Sequence, residues 1–267
     1  MVRIKHPIVA LGLLVMSSAV QGAVFLVDRT DDDASASACT EAPLDCSLRG
    51  ALDIANLSAG PDVVELPSGT FALTLNTNSN VSLVVLSEVS IRGSAMDETF
   101  IIAGSGFPGS AFTVGAGGAL TLEFLTLSGF TPDTSRYPGG ALNITGSLGA
   151  NALLRSVRIE NSSGRSGGGI LVSRSSGGLQ PAFRLQLFDS IITGNRSTEN
   201  ESGQGCNGGG LALLDGRIVI EGAVIIDNRT DSLATSGGGL CIVDAEASIN
   251  MSTIAGNSAS SFGAGIV

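Results

Sequence analysis

Two short motifs recur in step along the second half of the chain, and they constrain its fold more than any other feature. The first is a run of small residues, mostly glycine, followed by apolar residues; its copies begin at Gly117, Gly139, Gly167, Gly208, Gly237 and Gly263. The second is a short apolar stretch that ends in asparagine, at Asn161, Asn195, Asn228 and Asn257. Two markers that keep phase through successive copies predict a chain built from repeated structural units.

The spacing and residue types of the repeat predict a β-solenoid. A rung of two or three short strands needs roughly 20–30 residues, and glycine and asparagine both tolerate the left-handed backbone that sharp corners require. Each strand would pair with its equivalent one rung further, about 4.8 Å away, so that equivalent residues stack into ladders. We therefore predict an all-β, right-handed, single-stranded parallel β-helix. Its expected internal asparagine ladder comprises Asn161, Asn195, Asn228 and Asn257.

Two other fold classes fit the chain less well. An antiparallel sandwich would show hairpin turns every 8–12 residues or so, and leucine-rich repeats are shorter and richer in leucine. Only 14% of the residues are charged, against about 25% in ordinary globular proteins, which suits a chain of short buried strands. Residues 63–127 are predicted to form the first rungs, and the polar stretch 197–205 a loop that projects from a later rung.

The N-terminus has the three parts of a secretory signal peptide. Arg3 and Lys5 make it positive, an apolar run covers residues 8–20, and small residues stand at Gly22 and Ala23. The run is too short for a membrane helix, which needs about 20 apolar residues. We predict that residues 1–23 are removed and that the mature protein is secreted or associated with the outer membrane or cell surface. No direct membrane insertion of this chain is expected.

A short helix is predicted between the signal peptide and the first rungs. Leu48, Ala51, Leu52 and Ala55 occupy positions i, i+3, i+4 and i+7, which form one face of a helix. Ser47 is a good N-cap residue. Stacked repeats need a cap over the open apolar end of the stack, so this helix is expected to cover the first rung.

The residues of this helix resemble a known sequence pattern. The stretch Cys46-Ser47-Leu48-Arg49-Gly50-Ala51, with Cys39 upstream, resembles the CSLREA motif of secreted bacterial β-helix proteins. The later glycine copies are similar to the repeats of polymorphic outer-membrane proteins. Together the resemblance covers nearly all of residues 24–267 and implies a pectin-lyase-like fold, with residues 24–60 as an N-terminal cap and 61–267 as the β-helix.

Two details of the chain bear on that resemblance. Gly50 stands where the pattern has glutamate, so the Ser-x-x-Glu capping box is lost and the cap is expected to be weaker. A fresh repeat begins at Gly263, four residues before the last residue of the sequence. We therefore expect the β-helix to be truncated at its C-terminal end.

The charge balance excludes two classes of partner. The chain has 14 Lys and Arg against 24 Asp and Glu, a net charge of −10. Nucleic acids and anionic lipid surfaces are bound by clustered Lys and Arg, so neither is expected as a partner. A cell-surface or glycan ligand is the partner that suits an acidic, exported β-helix.

Two stretches match enzyme motifs without the context that those motifs need. Gly164-Arg165-Ser166-Gly167-Gly168 matches the G-x-S-x-G nucleophile elbow. That elbow requires a histidine base, and His6, the only histidine, lies in the predicted signal peptide. Residues 104–109 match G-x-G-x-x-G, but they contain Pro108 and no helix pattern follows. We read the first match as part of the repeat and the second as a turn, and predict no catalytic residue.

Few residues offer a metal site or a disulfide. Hard oxygen ligands of the kind that calcium takes collect at Asp28, Asp31, Asp32 and Asp33. Their spacing matches no known calcium loop, so a solvated acidic loop is favoured and no cofactor is predicted. Cysteines of exported proteins form disulfides; Cys39 with Cys46 is the favoured pair, and Cys206 with Cys241 the second candidate.

Two functions remain open. Parallel β-helices include pectate lyases and polygalacturonases, which cut acidic polysaccharides with calcium and a basic residue or with clustered aspartates. The residues that such a site would draw on are Arg155, Arg158, Arg184, Arg217, Asp189 and Asp227. No aspartate cluster repeats across adjacent rungs, and a fold alone does not imply a function. We predict a non-catalytic, exported or surface-displayed scaffold, adhesin-like or passenger-type, with residues 197–205 as a contact loop; the alternative is a polysaccharide lyase or glycoside hydrolase.

Overall fold

The computed structural model of the chain is a right-handed parallel β-helix, which confirms the predicted fold class. It describes residues 21–76, 81–133, 139–145, 149–173, 184–198, 207–231, 236–261 and 263–267. Residues 1–20 of the predicted signal peptide therefore lie outside the described part of the chain. Every strand pair within the described residues is parallel and joins one rung to the next, as a winding chain requires.

Each full rung places strands on three faces of the coil. The first face comprises Val24–Leu26, Asp62–Glu65, Glu88–Arg92, Ala119–Ser128, Asn151–Glu160, Leu185–Phe188, Gly216–Glu221 and Ala245–Asn250. The second face comprises Gly69–Leu73, Thr99–Ala103, Ile191–Thr193, Val224–Ile226 and Thr253–Ala255, together with the C-terminal halves of Ala119–Ser128 and Asn151–Glu160. The third face comprises Leu83–Val85, Phe112–Val114, Leu142–Ile144, Ile170–Val172, Leu211–Leu213 and Leu240–Ile242.

Two short ladders complete the later rungs between the second and third faces. One joins Ser163–Gly164, Arg196–Ser197, Arg229–Thr230 and Ser258–Ala259; the other joins Asn207–Gly208 and Ser236–Gly237. The strands of the first ladder follow the corner at which each second-face strand ends, and those of the second ladder precede the third-face strands. The first of them defines the outer corner that carries the arginines described below.

The hydrophobic core runs inside the coil because alternate residues of each strand point inward. One interior column of the first face is Val64, Ile91, Leu122, Leu154, Leu187 and Ile220, all fully buried. On the third face the outward-pointing residues Leu171, Ala212 and Cys241 are also buried, in a small cluster of their own. The outer sides of the first and second faces are therefore the more open surfaces among the described strands.

An asparagine ladder lines one interior corner, with one difference from the prediction. Asn195 donates from its backbone N–H and its side-chain amide to Oδ1 of Asn228, both at 3.0 Å, and Asn228 bonds Asn257 in the same way. The next position in this ladder is Ser162, whose N–H donates to Oδ1 of Asn195. Asn161 lies outside the ladder, exposed, with a φ of 51°. The prediction is wrong at Asn161 because the motif there is shifted by one residue.

The glycine triplets serve close packing rather than left-handed corners. A Cβ atom on Gly168 would lie 2.0 Å from the carbonyl oxygen of Gly209, and one on Gly209 would lie 2.2 Å from that of Gly238. None of these glycines has a positive φ. They occupy equivalent places before the third-face strands, whereas Gly117 and Gly118 precede a first-face strand and belong to a different corner.

The predicted helix caps the first rungs as Leu48–Ala55. Ser47 is its N-cap and accepts a hydrogen bond from the N–H of Gly50 at 2.9 Å. Arg49 forms an ion pair at 2.6 Å with Asp32, whose side chain is fully buried and also accepts from the N–H groups of Thr74 and Leu75. A disulfide joins Cys39 and Cys46 just before the helix. The disulfide and the ion pair tie parts of the cap together, and the bonds from Thr74 and Leu75 to Asp32 link the cap to the coil.

Candidate functional site

A ladder of alternating charges lies on the outer side of the first face. Glu65, Arg92, Glu123 and Arg155 are register partners in four successive rungs. The nitrogen–oxygen distances along this charge ladder are 3.3 Å from Arg92 to Glu65, 3.0 Å from Arg92 to Glu123, and 3.7 Å from Arg155 to Glu123. The hydrogen bond to Glu123 raises the pKa of Arg92. Each carboxylate of the ladder therefore lies against at least one guanidinium group.

The same column continues into an aromatic contact. The guanidinium carbon of Arg155 lies 5.1 Å from the ring centre of Phe188, its register partner in the next rung. That distance is within the range of a cation–π interaction. On a neighbouring outer column, Arg217 lies 3.8 Å from Glu246. Arginine on the first face thus stands beside a carboxylate or an aromatic ring of an adjacent rung.

A different arrangement occurs at the outer corner formed by the short strands Arg196–Ser197 and Arg229–Thr230. Arg196 and Arg229 are direct register partners, so two like charges stack one rung apart. Asp231 binds both: Arg196 donates to its Oδ2, and Nε of Arg229 donates to its Oδ1 at 2.5 Å. The side chains of Arg196 and Arg229 are 58% and 63% exposed. We call Arg196, Arg229 and Asp231 the arginine corner.

The electrostatics of the arginine corner favour an ionised aspartate. Partial burial raises the pKa of Asp231, but hydrogen bonds from Arg229 and Arg196 outweigh that effect, and the pKa falls below its ordinary value. At neutral pH the three groups therefore carry two positive charges and one negative charge. The corner is locally cationic on a chain with a net charge of −10.

The four aspartates considered for calcium each bind groups of the protein itself. Asp28 accepts from the backbone N–H groups of Cys46 and Leu44, and these bonds lower its pKa against the opposing effect of desolvation. Asp31 pairs with Arg29, Asp32 with Arg49, and Asp33 with Ser35. Within the described ranges, no group of three or more Asp, Glu, Cys or His side chains is arranged to hold a metal ion. A shallow depression of about 480 Å³ borders Asp28, Arg29 and Leu44.

The remaining charged residues singled out from the sequence do not converge. Arg158 lies on the second face beside Glu160, at 3.9 Å. Arg184 is fully buried, donates to the carbonyl oxygen of Ile144 at 3.3 Å, and has a pKa lowered by that burial despite the opposing field of Asp215. Asp189 and Asp227 occupy left-handed corner positions, with φ of 48° and 56°, at opposite ends of second-face strands.

The two enzyme-like motifs have structural roles. Ser166 of the G-x-S-x-G match is buried, and Gly164 beside it packs against the backbone of Gly139 and Gly140. In the G-x-G-x-x-G match, the N–H of Phe107 donates to the carbonyl oxygen of Gly104 at 3.1 Å, and Gly106 has a φ of 73°. The second stretch is a turn, which confirms the prediction.

Two predictions fall at the limits of the described residues. Cys241 is engaged in a disulfide, while Cys206, its predicted partner, lies outside the described residues, so this pairing stays a prediction. Of the predicted contact loop, only Ser197 and Thr198 are described. They follow Arg196 directly, which places the arginine corner at the start of that loop.

Sequence reasoning missed the arginine corner, although a signal for it exists. Arg196 and Arg229 each follow a ladder asparagine, as Asn195-Arg196-Ser197 and Asn228-Arg229-Thr230. Residues at the same step of a repeat stack in neighbouring rungs, so two arginines directly after the repeating asparagine predict two stacked guanidinium groups. Asp231, two residues after Arg229, then lies within reach of both.

No protein-family profile matches the chain, and no curated protein matches it. Among solved structures it is similar to that of the PL6 family alginate lyase AlyGC, with a TM-score of 0.39 and 12% identity over 95% of this chain and 41% of that protein. The chain thus spans less than half the length of that enzyme. Across the described part of the chain, no helix is both long enough and apolar enough to cross a membrane.

Proposed function

We propose that the protein is a non-catalytic, exported β-helix that presents a rigid outer surface to a cell-surface or glycan ligand, in the manner of an adhesin or passenger domain. The observation that carries the proposal is the alternation of Glu65, Arg92, Glu123 and Arg155 on the first face. Both glutamates of this ladder are engaged by a guanidinium group of a neighbouring rung. A general acid or base must instead lie within hydrogen-bond reach of the substrate.

The build of the coil also suits a binding role. Its strands are tied rung to rung by parallel ladders and by buried asparagines, so outward-pointing side chains are held at fixed spacing. A ligand that binds here therefore orders side chains but not the backbone, which lowers the entropy cost of binding. Loops that project from such a scaffold add further contacts.

One observation favours the alternative, a glycoside hydrolase. Glu65 and Glu123 lie on the same outer column two rungs apart. With strands spaced about 4.8 Å apart, the backbones of these two residues are separated by about 10 Å. Inverting hydrolases hold their two carboxyl groups up to roughly 9.5 Å apart. Arg92, however, lies between the two glutamates and contacts both, in the space that the attacking water and the sugar would need.

The experiment is a depolymerisation assay on a panel of acidic and neutral polysaccharides, with and without calcium, using folded full-length protein. New reducing ends report cleavage by either reaction, and absorbance from a new unsaturated sugar identifies elimination. We expect no cleavage above a heat-denatured control, and retention of the protein on at least one glycan or cell surface.

Two variants separate cleavage by this protein from a contaminant. Cleavage that Glu123→Gln abolishes would establish the hydrolase and overturn the scaffold. Calcium-dependent elimination that Arg155→Gln abolishes would establish a lyase instead. Failure of the folded protein to bind any surface or glycan, together with no cleavage, would also reject the proposed function.

A further inference from the structure

The arginine corner is not required by the repeat that builds the coil. The same column of short strands carries serine in the rungs on either side, at Ser163 and Ser258. A rung therefore closes at this corner with a small hydroxyl residue. The fold therefore does not explain why both central positions of this column are arginine.

Stacked arginines are also electrostatically unfavourable. Like charges directly opposite each other on adjacent strands destabilise a sheet, and elsewhere the described arginines of the outer first face stand beside glutamate or an aromatic ring. Asp231 relieves the repulsion between Arg196 and Arg229 only in part, because one carboxylate faces two guanidinium groups. A second anion at this place would complete the neutralisation.

The hydrogen-bonding capacity of the corner points the same way. A guanidinium group has five N–H donors in a planar fork that matches an oxyanion. Asp231 is contacted by Nε and Nη2 of Arg196 and by Nε of Arg229, so most of the ten N–H donors of the pair are not bonded to it. Since both side chains are more than half exposed, a ligand can reach these donors from solvent.

The residues around the arginine corner indicate which kind of anion it would bind. Exposed hydroxyl residues flank the corner on its outer side, at Thr198, Ser258 and Ser260. A nucleic acid presents a charge about every 1.7 Å, which two arginines on an acidic chain cannot match. An acidic glycan instead offers isolated carboxylate or sulfate groups among many hydroxyls, a pattern that two arginines among hydroxyl side chains can meet.

We propose that the arginine corner, Arg196 and Arg229 with Asp231, binds the carboxylate or sulfate group of an acidic glycan. The anion lies across the two guanidinium groups, on the side away from Asp231, and the sugar hydroxyls contact the flanking serine and threonine residues. This inference rests on the proposed binding function and names its ligand class and contact point. Because the carboxylate of Asp231 offsets part of the positive charge of the two guanidinium groups, it limits the affinity of the site for an anion.

The experiment measures affinity by calorimetry for polygalacturonate and for dextran sulfate, which separate the carboxylate and sulfate sources. Methyl-esterified polygalacturonate and dextran are the matched neutral probes. We expect Arg196→Gln and Arg229→Gln each to weaken binding about tenfold, since each removes a charge-assisted, bidentate contact. Asp231→Asn is expected to strengthen binding several-fold, and added salt to weaken it. Arg217→Gln, the same change on the first face beside Glu246, is the control and should leave affinity unchanged.

The expected increase in affinity of Asp231→Asn makes the test specific. General loss of structure would weaken binding in all three corner variants, whereas the proposed site predicts opposite effects of the arginine and aspartate changes. Equal affinity of wild type, Arg196→Gln and Arg229→Gln would reject the corner as the site. Absence of binding to either anionic probe would reject the ligand class, while retention on a cell surface or neutral glycan would leave the proposed scaffold function standing.

Discussion

At the scale of single residues, the interior asparagines solve a hydrogen-bonding problem that every corner of a solenoid creates. Where a strand ends, its backbone groups lose their regular partners while still buried. Asn228 fills this need: its side-chain amide donates to the carbonyl oxygens of Ile192 and Ile226, and its Oδ1 accepts from Asn195. One side chain thereby connects groups from neighbouring rungs.

A substitution at Asn228 should therefore be costly. Asn228→Leu has a similar shape but leaves the N–H of Asn195 without its acceptor and removes the amide donor from the carbonyl oxygens of Ile192 and Ile226. Each buried unsatisfied group costs about 1–3 kcal/mol. We expect the free energy of unfolding to fall by about 3 kcal/mol or more in urea titrations. Asn161→Gly is the matched control: Asn161 is exposed at a φ of 51°, which glycine adopts freely, so a change within about 0.5 kcal/mol is expected. Similar losses for both variants would contradict the assignment.

The one-residue error in the predicted ladder arises because the sequence pattern does not determine the strand register. Asn161 follows an apolar stretch just as the other three asparagines do, and Ser156 stands five residues before it. Strand register decides the matter: Glu160 pairs with Thr193, so Asn161 is level with Gly194 and Ser162 with Asn195. The corner tolerates both arrangements because asparagine also suits a left-handed position, and the sequence carries no further mark that separates them.

At the scale of elements, the capping helix shows how a departure from a motif can have a packing cause. A Cβ atom on Gly50 would lie 2.1 Å from the carbonyl oxygen of Ala36, so the segment before the helix packs against the position that a side chain would occupy. The helix retains its N-cap bond from Gly50 to Ser47. The weaker cap expected from the sequence is thus accompanied by a close backbone contact that the sequence could not reveal.

Restoring glutamate at this position should weaken the cap. Gly50→Glu would complete the Ser-x-x-Glu pattern, but the side chain must displace the backbone at Ala36, and such overpacking typically costs 1–3 kcal/mol. We expect faster hydrogen exchange in Leu48–Ala55 and a loss of about 2 kcal/mol in unfolding free energy. Leu57→Glu places the same side chain at an 89% exposed position beyond the helix and serves as the control. A stabilised helix in Gly50→Glu would refute the close contact.

At the scale of the whole molecule, the repeat predicts the fold but not the candidate site. Periodic glycines and asparagines predict stacked rungs, because each rung must bury its apolar strands against the next. The charge ladder and the arginine corner arise from the register between rungs, which brings together residues about 30 positions apart, such as Arg92 with Glu123 and Arg196 with Asp231. Because the loops differ in length, equivalent positions of neighbouring rungs are not separated by a constant number of residues, and the register cannot be derived from the sequence spacing.

A stack in which each rung contacts only its neighbours should confine a local defect. A Cβ atom on Gly209 would meet the carbonyl oxygen of Gly238 at 2.2 Å and the backbone of Arg229 at 2.6 Å. Gly209→Ala therefore forces two rungs apart, and hydrogen exchange should accelerate in Leu211–Leu213 and Leu240–Ile242. Amides of the helix Leu48–Ala55, several rungs away, should keep their protection.

Gly106→Ala is the matched change at a site with no heavy atom within 4 Å of the added Cβ. Its φ of 73° makes alanine strained by about 1–2 kcal/mol, without contact with a neighbouring rung. Exchange should then rise only around residue 106 in that variant. Uniform acceleration along the whole chain in Gly209→Ala would show instead that the coil unfolds as one cooperative unit, because the rungs then could not open independently.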